Sequence, residues 1–148
     1  MNPVAVAPDR YGAEVLKHFR APHNAGSFPA GTAGLLTGRA GECRHGRAIE
    51  LSLRVEGGRV AECRYRVYGC PATIALCSLL SDRVAGLMPE EARKLSLVAL
   101  AEELKLAPEK RSAALLLEDA LWSALAEYNM DIPKPNAVLG RTARESST

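Results

Sequence analysis

Ile49, Leu51, Leu53 and Val55 alternate with Glu50, Ser52 and Arg54. A period of two puts the apolar set on one face of a strand and the polar set on the other. Ala61, Cys63, Tyr65 and Val67 repeat the pattern against Glu62, Arg64 and Arg66. Between the two runs, Glu56-Gly57-Gly58-Arg59 reads as a hairpin turn. A further strand is expected over residues 35–40, joined to the first run through a turn at residues 43–46. The three then form an antiparallel meander.

Elsewhere the period changes to that of a helix. Tyr11, Val15, Leu16 and Phe19 recur at helical spacing, with Asp9 placed to cap a helix over residues 9–20. Pro22-His23-Asn24-Ala25-Gly26 ends it in a loop. Pro71 opens a helix over residues 71–85, closed by Gly86. Pro89-Glu90-Glu91 starts a short helix, and Ser96 caps another that reaches Leu104. Pro108 opens a last helix that carries Leu115, Leu116, Leu117, Leu121, Trp122 and Leu125 and ends near Tyr128. The pattern predicts an α+β fold, a three-stranded antiparallel sheet packed against a layer of helices. It also predicts one domain over residues 9–128, a flexible N-terminus over residues 1–8 and a mobile tail over residues 129–148.

The 148 residues suffice for one compact domain. Hydrophobic residues make up 47% and aromatic residues only 5%, so the core must be built mainly from Leu, Val and Ala. A net charge of +2 argues against a nucleic-acid or anionic-membrane partner. No apolar run is long enough to span a bilayer. The first eight residues place no basic segment ahead of an apolar one, so no secretory signal is expected. With four cysteines, this points to a reducing, cytoplasmic setting and free thiols. Cys-x-x-Cys, Gly-x-x-x-x-Gly-Lys and Gly-x-Ser-x-Gly are all missing, and with them the zinc-finger, P-loop and serine-hydrolase chemistries.

The most informative junction is Tyr68-Gly69-Cys70-Pro71. A strand ends, glycine allows the turn, and Pro71 opens a helix whose free N–H groups and dipole favour a thiolate at Cys70. Cys63 shares its strand face with Tyr65 and reads as core. Cys77 lies seven residues beyond Cys70, about 10 Å along the helix axis. Bonds of about 2.3 Å to one metal ion cannot bridge that gap, so Cys77 also reads as core. Cys43 and His45 flank Arg44 in a glycine-bounded turn. In an extended segment the two side chains point the same way and could share an ion; a solvated turn fits the spacing equally well. His18 and His23 read as helix-end capping or solvated groups, and the arginines of the strands as a solvated face.

The chain resembles the IscU/NifU-type iron–sulfur cluster assembly scaffold proteins. The resemblance runs from about Tyr11 to Tyr128. It is carried by Pro22-His23-Asn24-Ala25-Gly26-Ser27-Phe28, the turn bearing Cys43, Tyr68-Gly69-Cys70, Ala101-Glu102-Glu103-Leu104 and Leu117-Glu118-Asp119-Ala120. It implies the α+β fold read above and a site where a nascent cluster is built and then passed on. It matches Cys43 and Cys70 to the first two family cysteines. The family's aspartate two residues after the first cysteine is replaced by His45. Its Lys-x-His-Cys segment reads Lys110-Arg111-Ser112-Ala113 here, which keeps the lysine and loses the histidine and the third cysteine. The chaperone-recognition stretch, Leu-Pro-Pro-Val-Lys in the family, reads Leu106-Ala107-Pro108-Glu109-Lys110.

Cys43, Cys70 and His45 fall short of the usual cluster ligand count, and Glu42 or a partner's side chain is a candidate to complete the set. Three readings follow. The first is a scaffold-like protein that binds iron or a labile iron–sulfur cluster through a reduced ligand set, with a sulfur-donor protein as partner. The second is a repurposed accessory subunit of a redox complex, with no cofactor. The third is a zinc-binding regulator that uses Cys43, His45 and Cys70. None requires the chain to be an enzyme in its own right.

Overall fold

A computed structural model describes residues 12–131. Three strands, β1 (Leu35–Glu42), β2 (Arg47–Glu56) and β3 (Arg59–Tyr68), pair antiparallel in the order β1-β2-β3. Five α-helices accompany them: α1 (Ala13–Arg20), α2 (Pro71–Val84), α3 (Pro89–Arg93), α4 (Leu97–Glu103) and α5 (Arg111–Asp131). The expected α+β meander is therefore present. β1 runs two residues beyond the expected strand, and α5 runs three beyond Tyr128. Helix α1 starts at Ala13 with Gly12 at its N-cap; Asp9 and Tyr11 lie outside the described residues, as do the expected flexible N-terminus and most of the expected tail.

Leu36, Ile49, Leu51, Leu53, Val60, Cys63 and Tyr65 form one buried sheet face. Helix α5 lies on β1 and α2 on β3, and together they cover that face. Gly38 makes the first contact possible: a Cβ there would run into the backbone of Ala120 and Ala124 in α5. Helix α2 is buried nearly all round, because α1, α4 and α5 surround it on the sheet. Ser96 caps α4 as expected, accepting from the Ala99 N–H at 3.1 Å. In front of α3, the Glu91 carboxylate accepts from the Met88 N–H at 2.9 Å.

Two features depart from the sequence pattern. Arg54 pairs with Glu62 but Val55 with Val60, so Ala61 has no partner across the ladder. This bulge shifts the inward face by one residue, and Val60 is buried while Ala61 is exposed. The second departure concerns the histidines. His18 is only 6% exposed, and its Nδ1 lies 2.7 Å from Ser78 Oγ on α2. His23 Nδ1 sits 2.6 Å from Asp82 Oδ2, and Asn24 donates to both Ser81 Oγ and Asp82 Oδ1. His18 ties α1, and His23 the loop after it, to the polar side of α2, rather than capping a helix end or standing free in solvent. Burial, followed by the neighbouring His23, holds the His18 pKa below its usual value.

The other sheet face is an ion-pair lattice. Glu50 lies between Arg39, at 2.7 Å, and Arg66, at 3.6 Å, and Glu62 pairs with Arg54 and Arg64. Arg64 also stacks 4.5 Å over the Phe28 ring and donates to the Ser27 carbonyl. With the bridge between Ala25 and Tyr65, this lays the Pro22-to-Phe28 segment along the free edge of β3. The arginines are solvent-facing as expected, but they are paired.

Candidate functional site

Strand register brings the two candidate cysteines to one end of the sheet. Glu42 pairs with Arg47 across the β1–β2 turn, and Ala48 pairs with Tyr68 at the end of β3. Cys43 and the Gly69–Cys70 corner therefore leave the sheet at the same end, with β2 between them. Arg47 crosses from β2 to α5: its side chain packs on Gly69, and its Nη1 donates to Ser112 Oγ at 2.9 Å. The first turn of α5 thus closes the third side.

Cys70 is the N-cap of α2, with Pro71 at the first helical position. It is half-buried, and its Sγ lies 3.6 Å from Thr73 Oγ1. Burial alone would push this thiol up. The Thr73 hydroxyl, the amides of Thr73 and Ala72, and the Lys110 ammonium outweigh burial and hold it below the ordinary thiol value. The contrast with the core cysteines is sharp. Burial pushes Cys63 up to about 12 and Cys77 further still, so both are inert packing residues, as expected. All four thiols are free.

Cys43 is exposed, at the start of a 3-10 turn over Cys43–His45. Gly46, at φ 90°, closes the turn by donating to the Cys43 carbonyl at 2.9 Å. The segment is therefore not extended. With about three residues per turn, Cys43 and His45 do not share a direction. His45 Nδ1 instead lies 3.6 Å from Glu42 Oε1, which also accepts from Arg44 Nε at 2.7 Å. Among the described residues, no three His, Cys, Asp or Glu side chains converge on a point where a metal ion would sit. The chain's own residues as arranged here do not form the zinc set of Cys43, His45 and Cys70, and Glu42 is engaged within its turn.

Two concavities flank the corner. One, of about 300 Å³, is bounded by Cys43, Ala40, Ile49 and Val67, with Tyr68 and the Arg39–Glu50–Arg66 row at its rim. Tyr68 is 58% exposed at the residue pair leading into Cys70. The second, of about 360 Å³, lies between the Cys43 turn and α5 and is lined by Glu42, His45, Arg47 and Leu116. The three altered or retained family positions divide. Lys110 acts on the Cys70 thiol, Ser112 is exposed and holds Arg47, and Ala113 is buried at 1% in the core. Sequence reasoning passed over Thr73 and Arg47. Thr73 was detectable as the third residue after a helix-capping cysteine. Arg47 was not, because its partner is 65 residues away.

The chain matches the family described as NifU-like N terminal domain over residues 10–134, and it belongs to that family. It is 33% identical over 147 residues to the mitochondrial iron sulfur cluster assembly protein 1 of Yarrowia lipolytica, covering 99% of this chain and 81% of the relative. It is 34% identical over 119 residues to the iron-sulfur cluster assembly scaffold protein IscU of Escherichia coli, covering 80% of this chain and 93% of that one. Its fold is shared by the crystal structure of a candidate iron-sulfur cluster assembly scaffold protein for the SUF system from Fervidobacterium islandicum. The TM-score is 0.60 and the identity 13%, over 79% of this chain and 97% of that chain.

Proposed function

We propose that the chain is an iron–sulfur cluster assembly scaffold whose cargo, a labile cluster, is held by the thiolates of Cys70 and Cys43 at the open end of the sheet. The observation that carries this reading is the Cys70 corner. A thiol held below its ordinary value by Thr73, two amides and Lys110 gives up its proton more readily than a free cysteine, and the thiolate is the form that ligates iron. Cys43 lies at the same end of the sheet, across β2, exposed on a short turn.

Two cysteines leave iron coordination open, and openness suits cargo that must be released. Sulfur would arrive from a donor protein. The remaining ligands would come from that donor, a recipient or a second copy at the moment of handover. The protein is then a carrier surface rather than an enzyme in its own right, working in a reducing cytoplasmic compartment through one domain over residues 9–128. Among the described residues a zinc role draws no support from the arrangement of Cys43, His45 and Cys70, and relatives named as assembly and scaffold proteins favour the scaffold over an accessory subunit. No helix among the described residues is long and apolar enough to cross a membrane.

The test is transfer. The protein, loaded anaerobically with ferrous iron and sulfide, is mixed with an apo-ferredoxin, and the ferredoxin's visible absorption is followed. Ferredoxin should mature faster than with the same iron and sulfide free in solution, and Cys70→Ser should remove the advantage. Equal rates with and without the protein would refute a scaffold role.

A further inference from the structure

Arg47 is singled out by what it lacks. Around the site the other arginines are matched to carboxylates: Arg39 and Arg66 to Glu50, Arg44 to Glu42, and Arg111 to Glu102. Arg47 has no carboxylate partner among the described residues. It donates one hydrogen bond to a neutral hydroxyl, that of Ser112. A guanidinium carries five donors in a planar fork, so most of its capacity for an anion is unused. Its position is fixed at both ends, by packing on Gly69 next to Cys70 and by Ser112 on α5. It also lines the concavity between the Cys43 turn and Leu116.

We infer that Arg47, tethered by Ser112, determines which reactants reach Cys70 by favouring anionic sulfur species over neutral ones. This deepens the scaffold reading and rests on it. The carbon stem of Arg47 shields one side of the corner while its head presents fixed positive charge. An incoming persulfide or sulfide, and the sulfide face of a growing cluster, share the chemistry such a head attracts. Lys110 adds charge from the neighbouring turn, but as a point charge on a flexible stem. Ser112 thus has a role of its own: it aims the arginine.

Alkylation of Cys70 by iodoacetate and by iodoacetamide, read by peptide mass, isolates the effect. The reagents have the same leaving group and differ in charge, so the ratio of their rates cancels changes in thiol pKa and access. One unit charge met across roughly 7 Å of water-like surroundings is worth about threefold. Arg47→Gln should lower the iodoacetate-to-iodoacetamide ratio by about that factor, and Arg47→Lys should restore part of it. Ser112→Ala removes one exposed hydroxyl and leaves the core untouched, so it keeps the test sound if the arginine variants fold poorly; it should lower the ratio less than Arg47→Gln. An unchanged ratio in Arg47→Gln and in Ser112→Ala overturns the inference. The alkylation ratio needs no iron, so its failure and a failure of cluster transfer are separate results.

Discussion

Gly38→Val should destabilise this chain by about 3 kcal/mol or more. The Cβ of any residue at this position overlaps the Ala120 carbonyl and the Ala124 amide. These are backbone atoms of α5, which cannot rotate aside as a side chain would. Relief would require α5 to move off β1, opening the core around Leu117, Leu121 and Leu125. Since α5 also carries Ser112, the site would lose its third wall with the core. Urea unfolding followed by circular dichroism measures the loss. A Gly38→Val protein with the parent's midpoint would mean that α5 does not rest on β1 as described.

Thr73→Val should raise the pH at which Cys70 becomes reactive and slow its alkylation at neutral pH by roughly three- to tenfold. A single hydrogen bond contributes about 0.5–1.5 kcal/mol net, and a bond to sulfur falls within that range; about 1.4 kcal/mol is tenfold. Burial opposes the thiolate at this corner, and the Thr73 hydroxyl leads the groups that offset it. Valine keeps the branched shape in a fully buried position but removes the hydroxyl. The rate against pH should therefore keep its form and move to higher pH. In the parent, iodoacetamide should label Cys70 and Cys43 well before Cys63 and Cys77, which the core shields. A pH profile that does not move in Thr73→Val would show that the amides and Lys110 alone hold the thiolate.

Much of this was legible in the sequence because it is local. Alternation at Ile49, Leu51 and Leu53 marks the buried face of β2 directly, and proline after Cys70 fixes the start of α2. What was not legible depends on register or distance. The bulge at Ala61 follows from how β3 meets β2, which the alternation within one strand does not contain. The 3-10 geometry of Cys43–His45 comes from closure by Gly46 and from Glu42 gathering both Arg44 and His45. The His18–Ser78 bond joins residues 60 apart, and only the packing of α1 on α2 creates it. Ala113 looked like a simple ligand loss. The structure also gives it a packing role, since it is closed into the core beside Ala114 and Leu117.

The central claim, that Cys70 and Cys43 together hold a labile cluster, is tested most directly by counting iron and sulfide. The protein is reconstituted anaerobically with both, desalted, and analysed for metal, acid-labile sulfide and visible absorption, beside Cys70→Ser and Cys43→Ser. Iron and sulfide should be found in equal amounts at less than one cluster per chain, be lost within the time of a second desalting, and fall to background in either variant. A stable cluster at one per chain, or iron and sulfide retained without Cys70, would contradict it.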